Sequence, residues 1–400
     1  MMKLSAYINS LMLLVLMVAC TKTEEPPKPI GKPFPYTGDA TKSLTALLDA
    51  IPEATIYKAA FNRSGIQRYM DSISGGVKQA PYTLFVPTDK ALLAAGYTAD
   101  MPFAMADSLV RYLALPGNFP VNMGTMPNGT SFYPLMYPDP QLRRTMPTVY
   151  TKSWPYFYCI TVGFSGNSLL LNGKVVKVNA KAIAATNGTI FMIDSLVTKP
   201  QDEMYEVLTR DTAFSFYMAA LRRSNDLYKQ KGILGDIYNI TFNDTSMLML
   251  GPSTYTPGSQ SFAVLFVPVN DAFRKAGFHS IDDINAYIGK SVLASSGNGT
   301  QLLTNMDSVL ANHRLLYAFG GVNTGCSYLY TSDLLTSPYS ARDNGSSIGG
   351  AIIFQHSGST ITLHRQDALL GRGATIIGQS DITTLNGVVH RVDNLLLTTP

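Results

Sequence analysis

The chain has 400 residues, 46% of them hydrophobic and 14% charged. That is enough for two or three ordinary domains with sizeable cores, and it excludes wholesale disorder. The formal net charge is +4, from 31 Lys and Arg against 27 Asp and Glu. With no dense Lys/Arg patch, so small a charge gives no reason to expect nucleic acid as a partner.

In chain order, the first element is a short apolar run. Lys3 precedes it, Leu11–Ala19 forms it and Cys20 follows. A positive start, a short apolar stretch and a small residue before the cut describe a secretory signal over residues 1–19. The run is about half the ~20 residues that a helix needs to cross a bilayer, which argues against a membrane-spanning anchor. The ending Leu16-Met17-Val18-Ala19-Cys20 resembles a bacterial lipobox. That resemblance implies a diacylglycerol on the Cys20 thiol and firm attachment to a membrane through several acyl chains. Residues 20–39 hold five prolines between Pro26 and Pro35 and read as an extended tether. Lys22-Thr23-Glu24-Glu25 resembles the acidic export signals of Bacteroidetes surface lipoproteins, which favours the face of the outer membrane turned to the medium. The other cysteines, Cys159 and Cys326, fall in different halves of the chain. They read as two buried free thiols, with an inter-domain disulfide as the lesser alternative.

The remainder is one unit written twice. Leu84-Phe85-Val86-Pro87-Thr88-Asp89 recurs, 181 residues later, as Leu265-Phe266-Val267-Pro268-Val269-Asn270. Each block predicts a strand that a proline closes and a helix that Asp89 or Asn270 caps. A second block starting at Asp107 recurs at Asp307. A third, Asn187-Gly188 to Asp194, recurs as Asn386-Gly387 to Asp393. The change of offset places an insertion of about 19 residues between Phe278 and Asp307 of the second copy, with 294–300 as its loop. Segments 41–61 and 203–223 carry helical periodicity, with Ser43 as a cap. Leu169 to Val176, centred on Asn172-Gly173, predicts a hairpin with a type I′ turn. The short junction at 201–203 predicts two domains that touch.

The three blocks, in this order, resemble the fasciclin domain. Thr83–Asp89 is similar to its opening motif, and Asn386–Asp393, with His390 inside it, to its closing motif. The resemblance implies an α+β fold of two tandem fasciclin-like domains, at 40–200 and 201–400. Each would be a mostly antiparallel β-wedge or sandwich with packed helices. The Tyr-His pair of the family is broken in both copies, as Tyr112-Leu113 and as Asn312-His313. His313 reads as a core histidine inherited from the motif rather than a binding residue. Animal members use an Asp-Ile pair for adhesion. The second copy keeps it as Asp381-Ile382 and the first has Ala182-Ile183. Asp381 is therefore either a partner contact or, as we prefer, the cap of a local turn. Asn187, Gly188, Asn386 and Gly387 read as turn residues. Asp194 and Asp393, along with Pro87 and Pro268, read as structural, because acid–base chemistry usually needs paired carboxylates.

No metal or phosphate motif occurs, so no metal and no cofactor are expected. Gly345-Ser346-Ser347-Ile348-Gly349 fits a hydrolase elbow by letter, but a turn precedes it and a strand follows. His356 and His364 fall on neighbouring strands without a helical metal spacing. The aromatic-rich stretch from Phe119 to Tyr158 contains the only tryptophan, Trp154, with Tyr156 and Tyr158 beside it. Exposed aromatics of this kind stack on sugars or form interfaces, although alternate members of a strand can equally face a core. These features together predict a non-enzymatic, surface-anchored binding or adhesion lipoprotein, with glycans or outer-membrane and extracellular proteins as partners. The alternative is an accessory subunit of an outer-membrane glycan-uptake complex.

Overall fold

In the computed structural model the described residues are 41–73, 81–118, 130–132, 139–145, 153–156, 158–165, 167–178, 180–230, 261–291, 304–318, 328–335, 339–341, 352–366 and 373–396. Cys20, the segments 1–19 and 20–39, the insertion loop 294–300, Cys326 and Ser347 lie outside them. Gly38–Pro400 is a single compact unit. Among the described residues no helix is long and apolar enough to cross a membrane.

The first repeat opens with α1 (Leu44–Asp49), α2 (Thr55–Arg63) and α3 (Ile66–Ile73). Ser43 does cap α1, its side chain accepting from the Ala46 amide. Pro52 sits in the break between α1 and α2, where an interior proline would remove a helical hydrogen bond. Then come β1 (Tyr82–Pro87), α4 (Asp89–Ala94), α5 (Phe103–Tyr112) and β2 (Ala114–Pro116). Eight strands complete the repeat: β3 (Thr130–Phe132), β4 (Asp139–Thr145), β5 (Ser153–Tyr156), β6 (Ile160–Ser165), β7 (Ser168–Leu171), β8 (Lys174–Lys177), β9 (Ala182–Ala185) and β10 (Gly188–Ile193). They form a sheet of order β2-β1-β10-β9, a second of order β3-β6-β7-β8, and the separate pair β4-β5.

The second repeat follows the same plan. Its helices are α6 (Met204–Arg210), α7 (Ser215–Gln230), α8 (Asn270–Lys275), α9 (Ile281–Gly289), α10 (Asp307–Asn312) and α11 (Thr331–Leu334). Its strands are β11 (Ser261–Pro268), β12 (Arg314–Ala318), β13 (Tyr339–Ala341), β14 (Ile352–Ser357), β15 (Thr360–Arg365), β16 (Ala374–Thr375), β17 (Ile382–Thr384) and β18 (Gly387–Val392). The sheets are β12-β11-β18-β17 and β13-β14-β15-β16. In both repeats the opening and closing motifs meet as a parallel pair, and the other pairings are antiparallel. Leu84 faces Ile190 and Phe85 faces Phe191, just as Leu265 faces Val389 and Phe266 faces His390.

The glycine of each closing motif is fixed by crowding at this pairing. A Cβ on Gly188 would lie 1.9 Å from the Tyr82 carbonyl oxygen, and one on Gly387 would lie 1.8 Å from that of Ala263. Only a residue without a side chain allows so close a backbone approach. The asparagine before each glycine anchors the first helix of its repeat. Asn187 Oδ1 accepts from the Leu44 amide and Asn386 Oδ1 from the Met204 amide.

Asp89 and Asn270 differ from the cap expectation. Thr88 caps α4, its side chain accepting from Ala91 N, and α8 starts after Val269 without a side-chain cap. Asp89 instead receives the amides of Thr55 and Ile56, at 3.1 and 2.8 Å. Asn270 receives the amide of Phe216 at 3.0 Å and donates to the Thr212 carbonyl. Each residue is the first of its own helix, where its side chain is free to serve the exposed N–H groups of the neighbouring helix instead.

The two repeats share a buried seam. Asn172 and Gly173 form the β7–β8 turn at φ 48° and 71°, as the type I′ expectation requires. Asn172 Oδ1 accepts from Thr161 N, and its amide donates to the Tyr112 hydroxyl. Gly173 presses on the second repeat, since a Cβ there would lie 2.4 Å from the Tyr330 ring. Cys159, Tyr328, Tyr330 and Val388 form one buried cluster, and Leu385 joins the core of the first repeat. The free-thiol expectation fails for Cys159, which is buried but disulfide-bonded, with its partner outside the described residues.

Candidate functional site

The sequence candidates of the second repeat converge beside the seam. Asp381, at φ 58°, precedes β17, and its side chain is only 15% exposed. One carboxylate oxygen accepts from the Thr331 amide at 2.8 Å and the other from the Thr331 hydroxyl. The side chain therefore ties the start of α11 to the sheet, and aspartate is among the few residues that tolerate this backbone region. Ile382 pairs with Val389 and packs on the core of the repeat. His390 on β18 is fully buried, stacked on Phe266, with Nε2 2.8 Å from the Leu329 carbonyl. Its Nδ1 lies 3.6 Å from Asp381. Burial lowers the His390 pKa more than the carboxylate raises it, so the imidazole is neutral near pH 7.

The fold adds a carboxylate that the sequence reading did not single out. Asp333 accepts from the Tyr330 amide at 2.8 Å, and its pKa is raised to about 6, first by burial and then by the Asp381 charge. Asp333, Asp381, Thr331 and His390 thus form a compact polar group. The signal that could have found it is weak. Tyr330-x-x-Asp333 fits a helix start, but nothing in the spacing places it against Asp381, 48 positions on. The group resembles acid–base machinery in composition only. The His390 Nε2 contact, the Asp381 oxygens and one Asp333 oxygen are all spent on internal partners.

His313 is also wholly internal. Its Nδ1 lies 2.8 Å from the Phe266 carbonyl and its Nε2 accepts from the Leu396 amide at 2.8 Å. Burial lowers its pKa to about 4, with a smaller push in the same direction from Arg365. Asn312 donates to the Leu396 carbonyl. The broken Tyr-His pair of the first repeat is replaced by the Tyr112 hydroxyl, which donates to the Cys159 carbonyl and receives Asn172.

Tyr158 is buried, edge-on to Tyr112, with Lys199 5.0 Å above its ring. Trp154 and Tyr156 hold alternate positions on β5, where Trp154 pairs with Arg144 and Tyr156 with Asp139 of β4. Asp194 pairs with Lys177 at 2.7 Å. Asp393 accepts from the Thr375 amide at 2.7 Å, so each holds a strand in place. Pro87 and Pro268 end β1 and β11 opposite Ile193 and Val392. His356 pairs with Ile361 and His364 with Ile353, so the two histidines occupy opposite faces of their sheet. Among the described residues no three His, Cys, Asp or Glu side chains gather as a metal site.

The match to known proteins falls on the first repeat, where residues 52–199 fit the model of the Fasciclin domain. No curated protein matches the chain. Among solved structures, a FAS1 domain pair from the insect cell adhesion molecule fasciclin I aligns over 86% of this chain and 97% of its own. Its identity is 13% and its TM-score 0.32. The duplicated sheets establish an α+β chain of two repeats of one topology, the first of which matches the Fasciclin domain over residues 52–199.

Proposed function

We propose that the chain is a non-enzymatic binding lipoprotein, held to the bacterial outer membrane through Cys20, that captures glycans or proteins at the cell surface. The observation that carries this reading is the β4–β5 pair. It belongs to neither four-stranded sheet and brings Trp154 and Tyr156 to alternate positions of one strand, Trp154 opposite Arg144. Aromatic residues and arginine at such register positions are the residue types that suit sugar stacking or an interface core. The polar group around Asp381 supports the non-enzymatic part, because its contacts are used to hold α11 and β17 together.

A glycan array probed with the mature chain and with Trp154→Ala tests the binding claim. Specific capture that the substitution weakens supports it. Capture that the substitution leaves intact would remove β5 from the account. Anchoring has its own test, in which a radiolabelled fatty acid is incorporated by cells making the native chain and not by cells making Cys20→Ser. Labelling of both would contradict the anchor. Co-purification with a membrane transporter would favour the accessory-subunit alternative.

A further inference from the structure

The start of α2 and the start of α7 are the same element of the repeat. Thr55, Ile56, Tyr57 and Arg63 stand 160 positions before Ser215, Phe216, Tyr217 and Arg223. Asp89 and Asn270 bind the two helix starts in the same way. Tyr57 and Tyr217 are both completely buried.

The two arginines at the end of this match behave differently. In the first repeat Arg63 Nη1 donates to the carbonyls of Ala99, at 3.1 Å, and Met101, which fastens the chain before α5. Arg223 makes no hydrogen bond or ion pair with the described residues, and its Nε is buried without an acceptor. A buried donor left without an acceptor is unfavourable. Arg223 lines an open cleft of about 530 Å³ between α6, α7 and α9. That volume lies in the range of small-molecule sites, roughly 300–1,000 Å³.

The lining has a consistent chemistry. Arg222 and Arg223 supply two guanidinium groups, and Asp226 a carboxylate outside any ion pair among the described residues. Asp211, also at the cleft, is already neutralised by Arg391. Thr212 and Asn285 add a hydroxyl and an amide, beside the apolar surface of Met218. A guanidinium edge matches a carboxylate with two parallel hydrogen bonds. A carboxylate and an amide are acceptors and donors for hydroxyl groups.

The geometry points to a ligand site in this cleft for a small polyhydroxylated carboxylate, the chemistry of a uronic acid, with Arg223 holding the acid group. The site lies in the second repeat and does not depend on β5, so the two readings fail separately. The bound carboxylate gives Arg223 the acceptors that Arg63 finds in backbone carbonyls.

Calorimetry on the full mature chain in detergent tests it, with galacturonate and trigalacturonate as probes and galactose and inorganic phosphate as controls. Galacturonate is expected to bind, galactose to bind at least tenfold more weakly, and Arg223→Gln to weaken galacturonate about tenfold or more. Asn285→Ala, an exchange at a half-buried helix position, keeps the test alive if Arg223→Gln misfolds, and should weaken binding several-fold. Absence of galacturonate binding at roughly 10 mM would overturn the proposal. So would equal binding of phosphate, or galacturonate affinity unaffected by Arg223→Gln.

Discussion

The two repeats place the same strands in the same order and fill equivalent positions with different chemistry. At the central parallel pair the first repeat stacks Phe85 on Phe191, with ring centroids 5.9 Å apart, and the second stacks Phe266 on His390 at 5.1 Å. Leu113 follows α5 where His313 follows α10, and both are buried. The second repeat also buries Arg314 and Arg365. The shared framework therefore accepts an apolar or an imidazole filling: both ring nitrogens of His313 are met, while His390 keeps Nε2 on the Leu329 carbonyl and holds Nδ1 3.6 Å from Asp381. What separates the repeats is sensitivity. The first repeat contains no histidine, and the second depends on the protonation states of two buried ones, His313 and His390.

Breaking the covalent part of the seam should have the largest effect. If Cys20 carries the proposed lipid, Cys326 is the expected partner of Cys159, because it stands two positions before Tyr328, a member of the buried cluster around Cys159. Cys159→Ser should cost about 2–5 kcal/mol of stability, read from denaturant midpoints. A non-reducing peptide map should yield the linked Cys159 and Cys326 peptides, and a map linking Cys159 to Cys20 would contradict the arrangement. His313→Leu, which copies the first repeat, comes next. It strands the Phe266 carbonyl and the Leu396 amide, for a loss of roughly 2–4 kcal/mol. An equal or greater stability would mean that packing alone governs both repeats. Gly173→Ala is smaller, about 2 kcal/mol, because an alanine must adopt a left-handed backbone and displace Tyr330. Thermal unfolding that then resolves into two steps would show the seam to be what couples the repeats.

Much of this framework was legible in the sequence. The repeated Leu-Phe-Val-Pro and Asn-Gly blocks marked β1, β10, β11 and β18, because a buried parallel pair requires apolar runs and a glycine where backbones touch. The Asn172-Gly173 turn was readable for its φ requirement. The roles of Asp89 and Asn270 were misread because a local cap rule cannot see that a helix from elsewhere presents its N–H groups to the same carboxylate or amide. Asp333 stayed hidden for a similar reason, since its partner Asp381 approaches only through the sheet. The difference between Arg63 and Arg223 lies in which carbonyls come within reach, and no spacing encodes that.

The central claim is that one framework carries a core without histidine and a core that two buried histidines make pH-sensitive. His313 has a folded pKa of about 4 against an ordinary value near 6.5, so the unfolded chain binds more protons between those values. Stability from this group is complete above about pH 6.5 and is lost as pH falls toward 4, by roughly 3 kcal/mol. His390, lowered by burial, acts in the same sense. Asp333 opposes them, because its raised pKa favours the folded state as pH drops below about 6. Asp333→Asn removes that opposition and should steepen the loss. The direct measurement is hydrogen exchange of the native chain and of Asp333→Asn at about pH 7.5 and about pH 5, corrected for intrinsic exchange. The account predicts that β11 and β18 lose protection at the lower pH, more so in the variant, while β1 and β10 keep theirs. Equal losses in both repeats, or none in either, would contradict it.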